Sequence, residues 1–309
     1  VRVEFRVGGR VGAREVGTPD SGGAMRLSSP GHRRVIAPQR DASKLAPSRS
    51  TEGRSMSAVF EQRSRSRELA RGGRLVVRLA AGPDEIEAAQ RLRWQVFVEE
   101  LGARIATPRP GVDADRFDPF CEHLIVEDES TGGIVGTYRV LLPEPARRAG
   151  SLYIESEFSI DRLHRMRPQL VELGRSCVRR EYRTGGAILL LWTGLGELLA
   201  DRGHRYLIGC ASVPDADGGR FAASLWRRLW ADHAAPEPLR VFPKRPLAVD
   251  ALAHDCELVV PPLLKGYLRA GAMLLGEPHV DREFGCVDVP VLVELERLSS
   301  RYSRRFLRA

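Results

Sequence analysis

The chain has 309 residues, 43% hydrophobic and 28% charged, with a formal charge of +8 and a pI near 9.6. That apolar share supports one large or two small cores and excludes wholesale disorder. The charge is uneven: residues 1–70 carry 14 Lys and Arg against 7 Asp and Glu, leaving residues 71–309 at +1. A nucleic-acid reading of the basic pI therefore attaches only to the N-terminal segment.

Residues 1–70 are rich in Arg, Ser, Gly and Pro, show no sustained apolar period, and are expected to form a disordered tail. Their acid-poor, Arg/Ser-rich makeup also matches a targeting leader or a patch for an anionic membrane surface. Val1 in place of Met fits an overlong gene start, with Met25 or Met56 as the true one. Residues 71–309 are read as one α/β domain.

Arg74–Ala80 reads as a strand, and Pro83-Asp84-Glu85 opens a helix with proline in its first turn and acids at its positive end. Ile86, Ala89, Leu92, Val96 and Phe97 then recur at helical spacing. His123–Val126 and Ile134–Leu142 form a hairpin around Ser130-Thr131-Gly132-Gly133. Leu170–Val178 is a strand, Ala187–Ala200 a helix after a glycine pair, Tyr206–Ser212 a strand and Phe221–Trp230 a helix. Leu263–Ala272 is helical, and Met273–Leu275 and Val289–Leu295 are late strands, giving a mixed sheet without internal repeats.

Five widely spaced cysteines with no C-x-x-C argue against a disulfide framework or a zinc site and for a reducing cytoplasm. The longest apolar run, Ala187–Trp192, is far short of the roughly 20 residues of a membrane span.

The most informative stretch runs from Val171 to Ala187: a strand ends, Arg179, Arg180 and Arg183 follow, and Gly185 and Gly186 precede a helix. Backbone N–H groups at such a helix start bind phosphates; an ordinary strand–helix loop is the alternative. The stretch is neither a P-loop nor a dinucleotide fingerprint. Glu172 and Arg175 are three apart, so ideal alternation points them to opposite faces, unless a bulge at Gly174 turns both toward one cleft. Glu172 is the candidate general base, the alternative being a partly buried ion pair with Arg139 or Arg175. Asp113, Asp115 and Asp118 form an acidic cluster suited to a cation, or to pairing with local arginines. Ser176 fails the hydrolase elbow, Cys177 reads as a buried strand residue, and His123 has no metal-spaced partner, so no metal is assigned.

Several strings resemble the bacterial ornithine N-acyltransferases that use acyl carrier protein thioesters, often labelled "hemolysin-like". They include LRWQVFVEELGA (92–103), DADRFDPFCEHLIVED (113–128), GGIVGTYRVLLP (132–143), ELGRSCVRREYRTGGAILLLWTGL (172–195) and PPLLKGYLRAGAMLLGEPHVDREFG (261–285). With LYIESEFSI (152–160) and YLIGCASV (206–213) they span most of residues 75–309 and none of the tail. The family has the Gcn5-related N-acyltransferase fold: a mixed central sheet, splayed after its fourth strand and flanked by helices. A more distant resemblance to acyl-homoserine lactone synthases picks out Arg93, Phe97, Asp115, Asp118, Arg139, Glu172 and Arg175. The acetyl-CoA pattern Q/R-x-x-G-x-G/A would fall on Arg183, Gly186 and Ile188, so its last small residue is missing, which suits a carrier-bound donor.

The resemblance implies transfer of a (3-hydroxy) fatty acyl group from acyl carrier protein to ornithine or a similar amino acid, with no bound cofactor. Glu172 would be the base, and the Cys177 or Val178 backbone N–H the oxyanion donor. Arg179, Arg180, Arg183, Gly185 and Gly186 would meet the donor. Asp115 and Asp118 would attract the acceptor's cationic end and Arg139 its carboxylate, beside Arg93 and Phe97. Phe158, Leu190 and Trp192 could line an acyl tunnel. A cytoplasmic protein with peripheral inner-membrane contact is expected. The rivals are a homoserine lactone synthase, an acetyl-CoA enzyme and a non-catalytic membrane-active protein.

Overall fold

The aliphatic runs pair into one large sheet in a computed structural model that describes residues 67–183, 186–200 and 202–296. Its order is β1 (Glu68–Gly72), β2 (Leu75–Leu79), β3 (Glu122–Asp128), β4 (Gly133–Leu141), β6 (Leu170–Val178), β7 (Tyr206–Pro214), β11 (Cys286–Glu294) and β10 (His279–Asp281). The short β9 (Met273–Leu274) also pairs with β11, while β5 (Phe158–Ser159) and β8 (Phe242–Pro243) make a separate ribbon. All neighbours are antiparallel except β6 and β7. The edge strand β1 starts at Glu68, inside the segment expected to be tail, while residues 1–66 of that segment lie outside the described residues.

Helices cover both faces of this sheet. α1 (Pro83–Trp94) begins with the expected proline and acids and runs on as a π-helical segment, Gln95–Glu100. Its Leu92 and Val96 pack with Ile134 and Cys177. The neighbouring strand residues Val135 and Val178 point the other way, into a larger core with Leu191 and Leu195. That opposition is the two-residue period of a strand. Leu191 and Leu195 belong to α3 (Ala187–Leu199), which follows the shorter α2 (Pro143–Ala149). The remaining helices are α4 (Arg220–His233), α5 (Val249–Leu252) and α6 (Pro262–Arg269). No helix among the described residues is long and apolar enough to cross a membrane.

The feature that positions the site is the parting of β6 and β7. They pair only from Leu170–Tyr206 to Leu173–Gly209, although both strands continue. Counted from β2, this splay follows the fourth strand, as expected; β1 makes it the fifth along the sheet. A Cβ on Gly209 would sit 2.6 Å from the Leu173 carbonyl oxygen, so the last close approach of the two strands requires glycine.

Candidate active site

The parting coincides with a bulge in β6. Across β4, Thr137 faces Cys177 and Arg139 faces Gly174, so Arg175 and Ser176 together oppose Tyr138. Arg175 takes φ 51°, the one positive φ outside glycine among the described residues. The bulge thus falls one residue beyond Gly174, and a left-handed arginine costs of order 1–3 kcal/mol unless its surroundings hold it. The surroundings do hold it. The Arg175 guanidinium pairs with Asp113 at 3.1 Å and Asp115 at 3.4 Å, and lies over the rings of Tyr153 and Phe284.

The three aspartates of the acidic cluster are taken up by three arginines from three elements. Arg93 on α1, fully buried, pairs with Asp113 at 3.1 Å and Asp118 at 2.8 Å. Arg139 on β4 pairs with Asp115 at 2.7 Å and Asp118 at 3.3 Å. Burial pushes the Asp118 carboxyl up, but Arg93 and Arg139 outweigh it and hold it well below the ordinary carboxylate range. The cluster is therefore a neutralised layer that fixes Arg139 and Arg175. Arg139 and Arg175 line the cleft; Arg93, Asp115 and Asp118 lie behind that lining.

The cleft opens between the parted strands and holds about 790 Å³ of atom-free space, its mouth included. Glu172 lines it, and so does Phe97, whose ring meets Phe284 edge-on at 5.6 Å. The two carboxylate oxygens of Glu172 accept the backbone N–H groups of Tyr153 at 2.7 Å and Ile154 at 2.6 Å. Burial nonetheless pushes its carboxyl up to about 7, against those two hydrogen bonds and Arg139. Glu172 forms no ion pair with Arg139 or Arg175 among the described residues.

Backbone alternation separates the two N–H groups expected to hold an oxyanion. Arg179 N–H donates to the Val135 carbonyl on β4 at 2.8 Å, so Cys177, two residues earlier, also directs its N–H toward β4. Val178 directs its own away from β4, on the side where β6 no longer pairs with β7, but it is not among the residues that line the cleft. Cys177 contributes only packing; burial pushes its thiol up to about 12.

Of the residues expected to meet the donor, Arg179 and Arg180 are exposed just beyond β6, with Arg180 3.8 Å from Glu100. Arg183 is already engaged. Its guanidinium grips Glu100 through two bonds, at 2.5 and 2.7 Å, and donates to the Val178 carbonyl at 2.9 Å. It is a strut between the π-helical segment and β6. Gly186 caps α3, and Gly185 lies outside the described residues. Phe158, Leu190 and Trp192 do not line the cleft: Phe158 is in a separate core, and Leu190 and Trp192 pack beside the main one. The apolar lining comes instead from residues such as Leu173, Leu263 and Tyr267, with Trp192 edge-on behind Tyr267 at 5.0 Å.

Sequence reasoning missed three acids in this cleft: Glu157, Asp281 and Asp288. Two of them sit within the C-terminal stretch HVDREFGCVD, where the pairing of short carboxylates around a turn was the available signal.

Residues 92–193 match the family model described as an acetyltransferase (GNAT) domain. Among solved structures, the chain is similar to the acyl-homoserine lactone synthase LasI at 14% identity and TM-score 0.45, covering 76% of this chain and 95% of that one. It is also similar to the CoA-dependent acyl-homoserine lactone synthase BjaI at 17% and TM-score 0.44, covering 72% and 82%. Among curated proteins it is 38% identical over 261 residues to an L-ornithine N(alpha)-acyltransferase of Brucella abortus, covering 79% of this chain and 93% of the relative. It is equally identical to one of Rhizobium meliloti, covering 76% and 84%. With identity at this level over nearly the whole of such relatives, the chain belongs to the L-ornithine N(alpha)-acyltransferase family.

Proposed function

We propose that this chain transfers a 3-hydroxy fatty acyl group from acyl carrier protein to the α-amine of ornithine or a similar amino acid, giving a lyso-ornithine lipid. The cleft at the parting of β6 and β7 carries the reading: Glu172 and the paired Arg139 guanidinium both line it. The names of the curated relatives support the acceptor. The missing small residue at Ile188 and the exposed pair Arg179 and Arg180 support a carrier-bound donor. Family membership as an acyltransferase leaves no role for the non-catalytic membrane-active alternative.

The reaction needs a neutral amine, and an amine with pKa near 8 to 10 is mostly protonated at pH 7. Glu172, poised near 7, takes that proton directly or through a water. The amine then attacks the thioester carbonyl, the C–N bond forms as the C–S bond breaks, and the pantetheine thiol leaves carrying a proton. The Val178 N–H holds the developing oxyanion, a donor of a kind worth about 3–4 kcal/mol of barrier. Arg139, buried and preoriented by Asp115 and Asp118, pairs the acceptor's carboxylate. Arg179 and Arg180 meet the pantetheine phosphate and the acidic carrier surface. The product is an amphiphile, so release into the inner-membrane interface completes the cycle.

The test offers purified protein ornithine with 3-hydroxyacyl carrier protein, the matching acyl-CoA, or acetyl-CoA, and follows thiol release and product mass. Amide formation with the carrier-bound donor is expected. Turnover with acetyl-CoA alone, a lactone product, or no amide with any donor overturns the reading.

A further inference from the structure

The charges that line the cleft are sorted onto two walls. On the β4–β6 wall stand Arg139 and Arg175, each already paired with aspartates behind it, together with Glu172. On the opposite side stand Glu157, Asp281 and Asp288, from the turn that enters β5, from β10 and from β11. Asp281, Cys286 and Asp288 share one face of the β10–β11 ladder, and their ligating atoms lie within 4.8 Å of one another. Asp281 Oδ1 accepts the backbone N–H groups of Glu283 and Phe284 at 2.9 and 3.1 Å, and Asp288 Oδ1 accepts the Ser212 hydroxyl at 2.6 Å.

Glu157 is the independent observation. It comes from a different element, is 5% exposed, and lines the same cleft. Its one side-chain hydrogen bond among the described residues comes from the Cys210 thiol at 3.4 Å. Arg175 faces it from β6, but that guanidinium is held by Asp113 and Asp115. Burial, with Asp288 and Asp281 beside it, pushes the Glu157 carboxyl well above its ordinary range. A buried carboxyl held against two others keeps its proton, and takes up charge there only when a cation joins the group.

We propose that Glu157, Asp281 and Asp288 form the subsite for the side-chain ammonium of the acceptor, and so select a dibasic amino acid. The inference rests on the proposed function, and deepens it. An acceptor lying across the cleft sets its carboxylate on Arg139, its α-amine toward Glu172, and its far ammonium on this wall. Selection follows because an acceptor with an apolar end would set that end against three buried acidic side chains. An ammonium fits better than a metal ion, since one oxygen of Asp281 and both oxygens of Asp288 already accept local N–H, O–H or S–H donors and remain able to accept a further hydrogen bond.

The experiment measures binding of ornithine and of 2-aminopentanoate, the same chain length without the terminal amine, by calorimetry with EDTA present. It uses the wild type, Glu157→Gln and Asp288→Asn, each checked for folding by its melting curve. Wild type is expected to favour ornithine by at least ~30-fold, the lower bound for a desolvated charge pair, with the preference collapsing toward unity in Glu157→Gln. Should Asp288→Asn fail to fold, Glu157→Gln carries the test alone. Equal wild-type affinities, a preference untouched by Glu157→Gln, or ornithine binding that appears only when divalent metal is restored overturns the subsite. Acyl transfer to either amino acid is assayed alongside. Amide formation without ornithine preference would sink this inference and leave the proposed function standing. Selective ornithine binding without any transfer would do the reverse.

Discussion

Glu172 and Arg175 lie three residues apart on one strand and line the same cleft. The bulge opposite Tyr138 adds one residue to β6, shifts the alternation by one, and so turns Arg175 to the side that Glu172 already faces. The same point marks where β6 loses β7 as a partner. One local irregularity therefore opens the cleft and delivers its charged lining. The left-handed Arg175 backbone is held by the ion pairs to Asp113 and Asp115.

Glu172 gives a pH signature. With its carboxyl near 7, the ionised form that accepts a proton populates as pH rises through that value, so kcat/KM should climb through a limb centred there. Glu172→Gln should lower kcat by about 10²- to 10⁴-fold and remove the limb. A rate profile of the variant that keeps the limb would assign it to another group. Because Gln presents an NH₂ to one of the Tyr153 and Ile154 amides, some loss of stability accompanies the change, and the limb is the readout that separates base from anchor.

Asp118 should carry acid sensitivity. Its folded pKa is depressed below the ordinary 3.8. Between the two values the unfolded chain binds the proton more readily, so this group's contribution is complete above about pH 4 and is lost as pH falls through the folded value. Asp118→Asn should destabilise by about 3 kcal/mol at pH 7, the low end for a broken buried pair, since it takes from the fully buried Arg93 one of its two carboxylate partners and leaves Asp113. The same variant should show a shallower decline of stability below pH 4. Denaturant melts from pH 2 to pH 7 on both proteins check the magnitude and the slope.

The sheet was legible because its strands are aliphatic runs cut by glycine and by charge: β6 spans the expected Leu170–Val178. The edge strand β1 was not, since ELARG carries too little apolar signal to stand out from a polar, Arg-rich segment. Side-chain roles were less legible than strands. The aspartates of the cluster are adjacent in sequence, but Arg139 and Arg175 reach Asp115 from 24 and 60 residues away, and only the folded sheet shows them neutralised. Arg183 reads as a free base beside a glycine pair until Glu100, 83 residues earlier, is seen gripping it. Glu157, Asp281 and Asp288 escape notice for the same reason, because the order β7–β11–β10 is a tertiary fact.

Arg183 and Arg179 should separate cleanly. Arg183→Ala removes a two-point grip on Glu100 and a bond to the Val178 carbonyl, and should cost about 1.5–3 kcal/mol of stability. Glu100→Ala should cost much the same, with the double variant far from additive. Arg179→Ala on the exposed rim should leave the melting point within a degree or two, yet raise KM for the carrier-bound donor severalfold in a salt-dependent way. A melting point unmoved by Arg183→Ala would return that residue to the donor site.

Gly209 tests whether the parting of the strands is the working geometry. An added methyl would stand 2.6 Å from the Leu173 carbonyl, a backbone atom that cannot rotate aside. Gly209→Ala must therefore push β7 from β6 at their last paired position, at a cost of about 1–3 kcal/mol for overpacking. The displaced segment carries Cys210 and Ser212, which hold Glu157 and Asp288 in place. Activity should consequently fall by more than the stability loss explains, with kcat reduced at temperatures well below the new melting point. Full activity in a folded Gly209→Ala protein would mean that the reacting groups do not depend on where the two strands separate.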